Sequence, residues 1–111
     1  MITMTDELMR ETLAKAKAYC VVILKATQKR HETGSNAIVH EHARRNFVHR
    51  AEGILSIVCP ITDGSEVRGI GIYHASAEKV RELMEDDPGV KAGIFSYEVH
   101  PCKGFPGDAL P

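Results

Sequence analysis

The sequence predicts an α+β domain of the ferredoxin-like type, with one antiparallel four-stranded sheet and an extra N-terminal helix. The first observation is the order of apolar patterns, which after that helix runs β-α-β-β-α-β, the split βαβ arrangement. The second is size, because 111 residues that are 43% hydrophobic and 26% charged suit one core. We therefore expect a single domain over 1–111, with an N-terminal helical extension (1–17) and a C-terminal tail (102–111).

The first half of the chain contains two helix patterns with a strand pattern between them. Thr5 can cap a helix over 6–18, because acidic residues follow it in the first turn. Residues 18–27, "AYCVVILKAT", are β-branched and apolar, which is typical of a buried strand. After a polar loop, Ser35 or Asn36 can cap a longer helix with an apolar stripe.

The second half contains two strands, a helix and a last strand. The segments 54–61 and 66–75 read as strands on either side of the turn "TDGS". Ser76 can then cap a helix that runs to about Glu85. Residues 94–101, "IFSYEVHP", alternate apolar and polar side chains, so we expect a half-buried strand.

Two helices on one face of such a sheet leave the opposite face uncovered. An uncovered apolar face usually packs against a partner, so we expect a homodimer through the sheet face. The net charge of −1 gives no electrostatic basis for binding nucleic acid or a membrane. No apolar run reaches the ~20 residues that span a bilayer. The N-terminus does not resemble a signal peptide, and we expect a cytoplasmic protein.

The strand segment "RGIGIY" (68–73) matches part of the sequence pattern of an RNA-recognition strand, because it begins with a basic residue and a glycine. RNA-binding strands stack bases on aromatic side chains, and isoleucines stand at those positions here. The segment therefore argues against RNA binding and suits burial against a partner subunit.

The second core helix ends with three carboxylates, Glu85 to Asp87. Because a helix C-terminus carries partial negative charge, each acid there lowers the stability by roughly 0.3–1 kcal/mol. Asp87 can cap a short turn that begins at Pro88, or it can be held for chemistry. In the ferredoxin-like topology the start of the first core helix and the end of the second meet at one edge, so His42 can approach Asp87. Both interpretations can hold, since one oxygen can cap while the other contacts His42. Such a pair can work as an acid/base unit, because the carboxylate fixes the imidazole tautomer.

The segments "HARRNFVHRAEGILSIVCPI" and "EDDPGVKAGIFSYEVHP" resemble the YciI-like (YCII-related) family, over roughly residues 18–101. The family pattern places its helix histidine on His42 and its aspartate on Asp87. The resemblance implies a dimeric ferredoxin-like α/β fold with a His–Asp active site in a cleft. It also implies a dehydrochlorinase acting on a chlorinated aromatic as one activity in the family. The helix at 6–18 and the tail "GFPGDALP" depart from the family pattern.

We therefore predict a small cofactor-independent enzyme that acts on a small organic substrate by elimination or isomerisation. His42 would be the general acid or base, with Asp87 orienting it. The alternative is a non-catalytic dimeric module that binds a small ligand or serves as an accessory subunit. Lys25, Arg45 and Ser96 are candidate substrate-binding residues.

No metal is expected, because no two histidines have the i,i+4 spacing of a helical metal site. No other cofactor is expected either, because the sequence has no nucleotide-binding motif. Basic residues after the first strand form either a solvated loop or a patch that attracts an anionic molecule. The three cysteines are widely spaced, and we expect free, inert thiols.

Overall fold

The structure, a computed structural model, describes residues 1–111 and confirms the ferredoxin-like α+β fold. The elements in chain order are α1 (Asp6–Leu13), β1 (Lys17–Ala26), a 3-10 turn (Gln28–His31), α2 (Ser35–Ala51), β2 (Leu55–Pro60), β3 (Val67–Tyr73), α3 (Ala77–Glu85), α4 (Pro88–Lys91) and β4 (Phe95–Gly104). The four strands form one antiparallel sheet in the order β2-β3-β1-β4. None of the helices is both long enough and apolar enough to cross a membrane.

The core lies between the sheet and the helices α2, α3 and α4. In the central strand β1, Cys20, Val22 and Leu24 are buried while the residues between them are only half-buried. This alternation follows from the two-residue period of a strand, which sends successive side chains to opposite faces. The buried core consists of Cys20, Val22, Leu24, Leu55, Tyr73, Val80, Met84, Ile94 and Phe95.

The opposite face of the sheet is apolar and is not covered by α2, α3 or α4. The pairing of β1, β2 and β3 places five half-buried aliphatic side chains on this face: Val21, Ile23, Ile57, Ile70 and Ile72. A homodimer through this face stays a prediction.

The N-terminal ends of three helices show which of the N-cap residues predicted from the sequence are correct. Thr5 and Ser76 cap α1 and α3 as predicted, with their hydroxyl oxygens accepting from Leu8 N (3.1 Å) and Lys79 N (3.2 Å). The cap predicted for α2 is wrong, because that helix begins after Gly34 in a left-handed conformation and has no side-chain cap. Ser35 is instead inside the helix, where its hydroxyl donates to the carbonyl of Arg30 (2.6 Å).

Helix α1 ends five residues earlier than predicted, at Leu13. The chain must leave the helix there because Lys17 already pairs with Gly104 in the sheet. No residue of α1 is buried. The molecule measures 55 × 28 × 22 Å, and its radius of gyration of 16.4 Å exceeds the ~13 Å expected for a compact chain of this length. An amphipathic helix with an uncovered apolar side is thus part of an extended N-terminal segment.

Candidate functional site

Asp87 is the N-cap of the short helix α4. One carboxylate oxygen, Oδ2, accepts hydrogen bonds from Gly89 N (2.9 Å) and Val90 N (3.2 Å), and Pro88 takes the first helical position. The side chain is 1% exposed. The capping explanation for the acid at this position is therefore confirmed, and it uses only one of the two oxygens.

The other oxygen of Asp87 contacts His42. The distance between His42 Nδ1 and Asp87 Oδ1 is 2.7 Å, and the histidine is 8% exposed in the second turn of α2. The start of α2 and the end of α3, which leads into α4, thus meet at one edge of the sheet. The structure brings the two predicted residues together, and their catalytic role stays a prediction.

The hydrogen bonds fix which ring nitrogen of His42 carries the proton. Asp87 can only accept when ionised, so Nδ1–H donates to it and Nε2 keeps a free electron pair. The Nδ2 of Asn46 lies 3.2 Å from Nε2, and the Phe95 ring packs at a centroid distance of 5.0 Å. Sequence reasoning missed Asn46, although its position four residues after His42 on a helix was a usable signal.

A cavity of about 300 Å³ lies between α2 and the strands β2 and β3, and His42 and Asn46 form part of its wall. The rest of the wall is mostly apolar. Its apolar residues include Val22, Leu24, Val39, Ala43, Phe47, Leu55, Val58, Met84 and Phe95. A mostly apolar pocket with a few polar groups is the usual form of a small-molecule site.

Two glycines on β3 line this cavity. Gly69 and Gly71 lie opposite Leu24 and Val22 on the helix-facing side of the sheet, so no side chain projects from β3 there. A Cβ on Gly69 would meet only the carbonyl of Cys59, at 3.6 Å, whereas the cavity lies beyond it. The signal in the sequence was the pair of glycines two residues apart within a strand, which marks a close approach of another molecule.

Two arginines add positive charge to the cavity wall. Arg30 is held by hydrogen bonds from its Nη1 to Ser35 Oγ (2.9 Å) and Asn36 Oδ1 (3.1 Å). Arg68 also lines the cavity, and its Nε is buried without a hydrogen-bond partner. The basic patch considered in the sequence therefore contributes one residue, Arg30, to the cavity.

Arg45, a predicted substrate-binding residue, lies beside the acids and not in the cavity wall. Its Nη1 is 3.7 Å from Asp87 Oδ1, and its Nη2 is 3.9 Å from Asp86 Oδ2. The guanidinium of Arg45 therefore lies beside the same Asp87 oxygen that contacts His42.

The structure separates Lys25 and Ser96 from His42. They are partners in the β1–β4 register and follow the strand period onto the uncovered face of the sheet, opposite the cavity. Lys25 Nζ instead pairs with Glu98 Oε2 at 2.9 Å, and this contact raises the pKa of the lysine. Both residues lie at the predicted edge of the sheet, as His42 does, but on the opposite face. Chain direction predicts the edge of the sheet and does not specify the face.

The cysteines are all free thiols. Cys20 is buried, and desolvation raises the pKa of its thiol, while Cys59 is exposed and lines the cavity. No group of three or more His, Cys, Asp or Glu side chains is placed to hold a metal ion.

Comparison with known proteins adds to the description of the fold. No family model matches the chain, and no curated protein matches it. Among solved structures, the chain is similar to 5-chloro-2-hydroxyhydroquinone dehydrochlorinase (TftG) from Burkholderia phenoliruptrix AC1100, in complex with 2,5-dihydroxybenzoquinone. The TM-score is 0.50 at 18% sequence identity, over 74% of this chain and 90% of that chain. At this identity the likeness shows a shared ferredoxin-like fold.

Proposed function

We propose that the protein is a small cofactor-independent enzyme of the YciI-like type. His42 acts as general base and acid on a small organic substrate, and Asp87 orients it. The observation that carries this proposal is the 2.7 Å contact between His42 Nδ1 and Asp87 Oδ1 at the wall of a cavity.

The proposed chemistry begins with proton removal by His42 Nε2 from a hydroxyl group or an acidic carbon of the substrate. The electron pair of the broken O–H or C–H bond becomes part of a new C=O or C=C double bond. In an elimination, a leaving group such as chloride departs with its bonding electrons, and His42 later releases the proton to solvent. In an isomerisation, His42 returns the proton to a different carbon. Asp87 stabilises the imidazolium that forms in either case, and a positioned acid/base group of this kind contributes typically ~10²–10⁴-fold in rate.

The size and charge of the cavity suggest the substrate class. A space of about 300 Å³ with apolar walls suits one six-membered ring with small substituents. Arg30 and Arg68 favour a substrate that carries or develops negative charge. The dihydroxybenzoquinone bound to the dehydrochlorinase of the same fold is a ligand of this size.

We also propose that the protein is a cytoplasmic homodimer. A second copy would cover the uncovered face of the sheet, where five aliphatic side chains are only half-buried. The exposed Leu8, Met9 and Leu13 of α1 would gain a partner in the same assembly. Exposed apolar surface of this kind is typical of protein–protein contacts.

A second candidate function is a ligand-binding module without catalysis. It is favoured by the contact between Asn46 Nδ2 and His42 Nε2, because both ring nitrogens then already have a partner within the protein. A base must expose its electron pair to the substrate, so Asn46 has to yield during catalysis.

The experiment that separates the two functions measures turnover of chlorinated dihydroxybenzenes. Chloride release is followed by ion chromatography, and deuterium exchange at ring carbons by NMR. We expect His42→Gln to lower the rate by about 100-fold or more, as for loss of a general base. The matched control is His40→Gln, an exposed histidine on the same helix. A wild-type protein that binds these compounds but turns them over no faster than His42→Gln would be a binding module.

A further inference from the structure

Tyr73 is a buried phenol in the cavity wall that the proposed acid/base pair does not use. It is 4% exposed and lies in the helix-facing row of β3 that also contains Gly69 and Gly71. Its hydroxyl has one hydrogen-bond partner in the protein, the Sδ of Met84, at 3.8 Å. A thioether is a weak acceptor, and a buried tyrosine hydroxyl normally finds an oxygen or nitrogen. The hydroxyl of Tyr73 therefore has no strong acceptor.

The surroundings of Tyr73 keep the phenol protonated. Burial raises its pKa to about 12, an effect that the charge of Arg45 opposes and the charge of Asp87 reinforces. Tyr73 and His42 both line the cavity. At any pH where a histidine changes charge, Tyr73 therefore keeps its proton and can donate a hydrogen bond.

We propose that Tyr73 contacts the substrate, with its hydroxyl donating a hydrogen bond to a substrate oxygen that gains negative charge as His42 removes a proton. This inference rests on the proposed function and deepens it, because it assigns the ligand class. The ligand is an oxygen-substituted ring, such as a phenol, enol or quinone, and not a hydrocarbon ring. A fixed donor aimed at developing charge in a water-poor site lowers the barrier of such a step.

The shape of the cavity is consistent with this contact. The missing side chain at Gly69 leaves space above the backbone of β3, whereas the ring of Tyr73 and a methyl of Leu55 fill the space at Gly71, 3.2 Å from where a Cβ would lie. Met84 and Phe95 also line the cavity and offer no strong acceptor of their own. An oxygen of a bound ring can thus replace the sulfur of Met84 as the partner of the hydroxyl.

The test compares the binding of two ring compounds by isothermal titration calorimetry. The probe is 2,5-dihydroxybenzoquinone, and the matched compound without oxygens is p-xylene. Tyr73→Phe keeps the ring and removes only the hydroxyl. We expect it to weaken binding of the probe by about 10- to 100-fold, as for a hydrogen bond to a charged group, and to leave p-xylene binding unchanged. The control Tyr97→Phe removes a hydroxyl from a half-buried tyrosine outside the cavity wall, and it should keep the affinity for the probe within about twofold.

The results of this experiment support or overturn the proposed contact between Tyr73 and a substrate oxygen. Equal affinity of Tyr73→Phe and wild type for the probe would overturn it, as would a wild type that does not bind the probe. The proposed function is judged separately, by the effect of His42→Gln on turnover. Weaker probe binding in Tyr73→Phe, together with turnover that does not depend on His42, would support the contact and reject the acid/base role.

Discussion

Asn46 lies one helical turn after His42, and its side-chain amide is 3.2 Å from His42 Nε2, on the side of the ring opposite Asp87. An amide carries both a donor and an acceptor, so a flip lets Asn46 serve either form of the ring. Its Nδ2–H can donate to neutral imidazole, and its Oδ1 can accept from imidazolium. Both charge states of His42 therefore find hydrogen-bond partners at this site.

The Asp87→Asn substitution is expected to exchange the tautomer of His42. The amide oxygen can still cap α4, but the amide nitrogen then faces His42 Nδ1 and donates to it. The proton of the neutral ring moves to Nε2. Long-range ¹H–¹⁵N NMR distinguishes the two tautomers, and Asp86→Asn, at the exposed neighbouring acid, should leave the spectrum of His42 unchanged. An Nδ1–H tautomer retained in Asp87→Asn would contradict the orienting role of Asp87.

Gly69→Ala is expected to weaken ligand binding without loss of stability. The new Cβ would meet only the Cys59 carbonyl at an ordinary 3.6 Å, so the backbone need not move. It would, however, project from the cavity-facing side of β3 and take the space of a bound ring. We expect about tenfold weaker binding of 2,5-dihydroxybenzoquinone by calorimetry, and a free energy of unfolding within about 1 kcal/mol of wild type. Ser96→Ala, on the uncovered sheet face, is the matched control, and an equal loss there would reject this location for the site.

The approach of His42 to Asp87 could be predicted because it depends only on chain direction, which the order of elements specifies. The same reasoning failed to separate Lys25 and Ser96 from the cavity, because it gave the edge of the sheet and not the face. The face depends on the alternation of side chains along the strand, which the sequence shows where the apolar Leu24 is followed by the charged Lys25. The glycines of β3 were a signal of a close approach, but the size and place of the cavity could not be predicted, since they depend on how α2 packs over the strand.

His49 is expected to make the fold less stable as the pH falls. Burial lowers its pKa, Arg45 and Lys79 add to this effect, and Glu52 and Asp87 oppose it. Its Nδ1 is buried without a partner. Because the pKa in the folded state lies below the unfolded value of ~6.5, the unfolded chain binds more protons in that range. The stability due to neutral His49 is therefore complete above about pH 6.5 and is lost as the pH falls towards the folded pKa.

Urea unfolding at pH 7.5 and 5.5 tests this expectation. Wild type should lose more stability between the two values than His49→Gln, which cannot titrate. His31→Gln, at an exposed histidine, controls for the general effect of removing one imidazole. The same loss of stability in wild type and His49→Gln would show that this ring does not cause the pH dependence.

Ile72→Lys is expected to produce a monomer. Ile72 lies at the centre of the uncovered sheet face, between Val21 of β1 and Ile57 of β2. In a dimer through this face each copy would bury a lysine against the aliphatic side chains of its partner, and an unpaired buried charge is strongly unfavourable. In a monomer the long side chain can reach water, so the fold should survive the change.

Light scattering after size exclusion should give about 24 kDa for wild type, twice the chain mass of 12.2 kDa, and 12.2 kDa for the variant. Glu78→Lys, exposed on α3, should remain dimeric. A wild type of 12.2 kDa would reject the dimer, and a dimeric Ile72→Lys would place the interface elsewhere, leaving the exposed apolar side of α1 as the surface to test next.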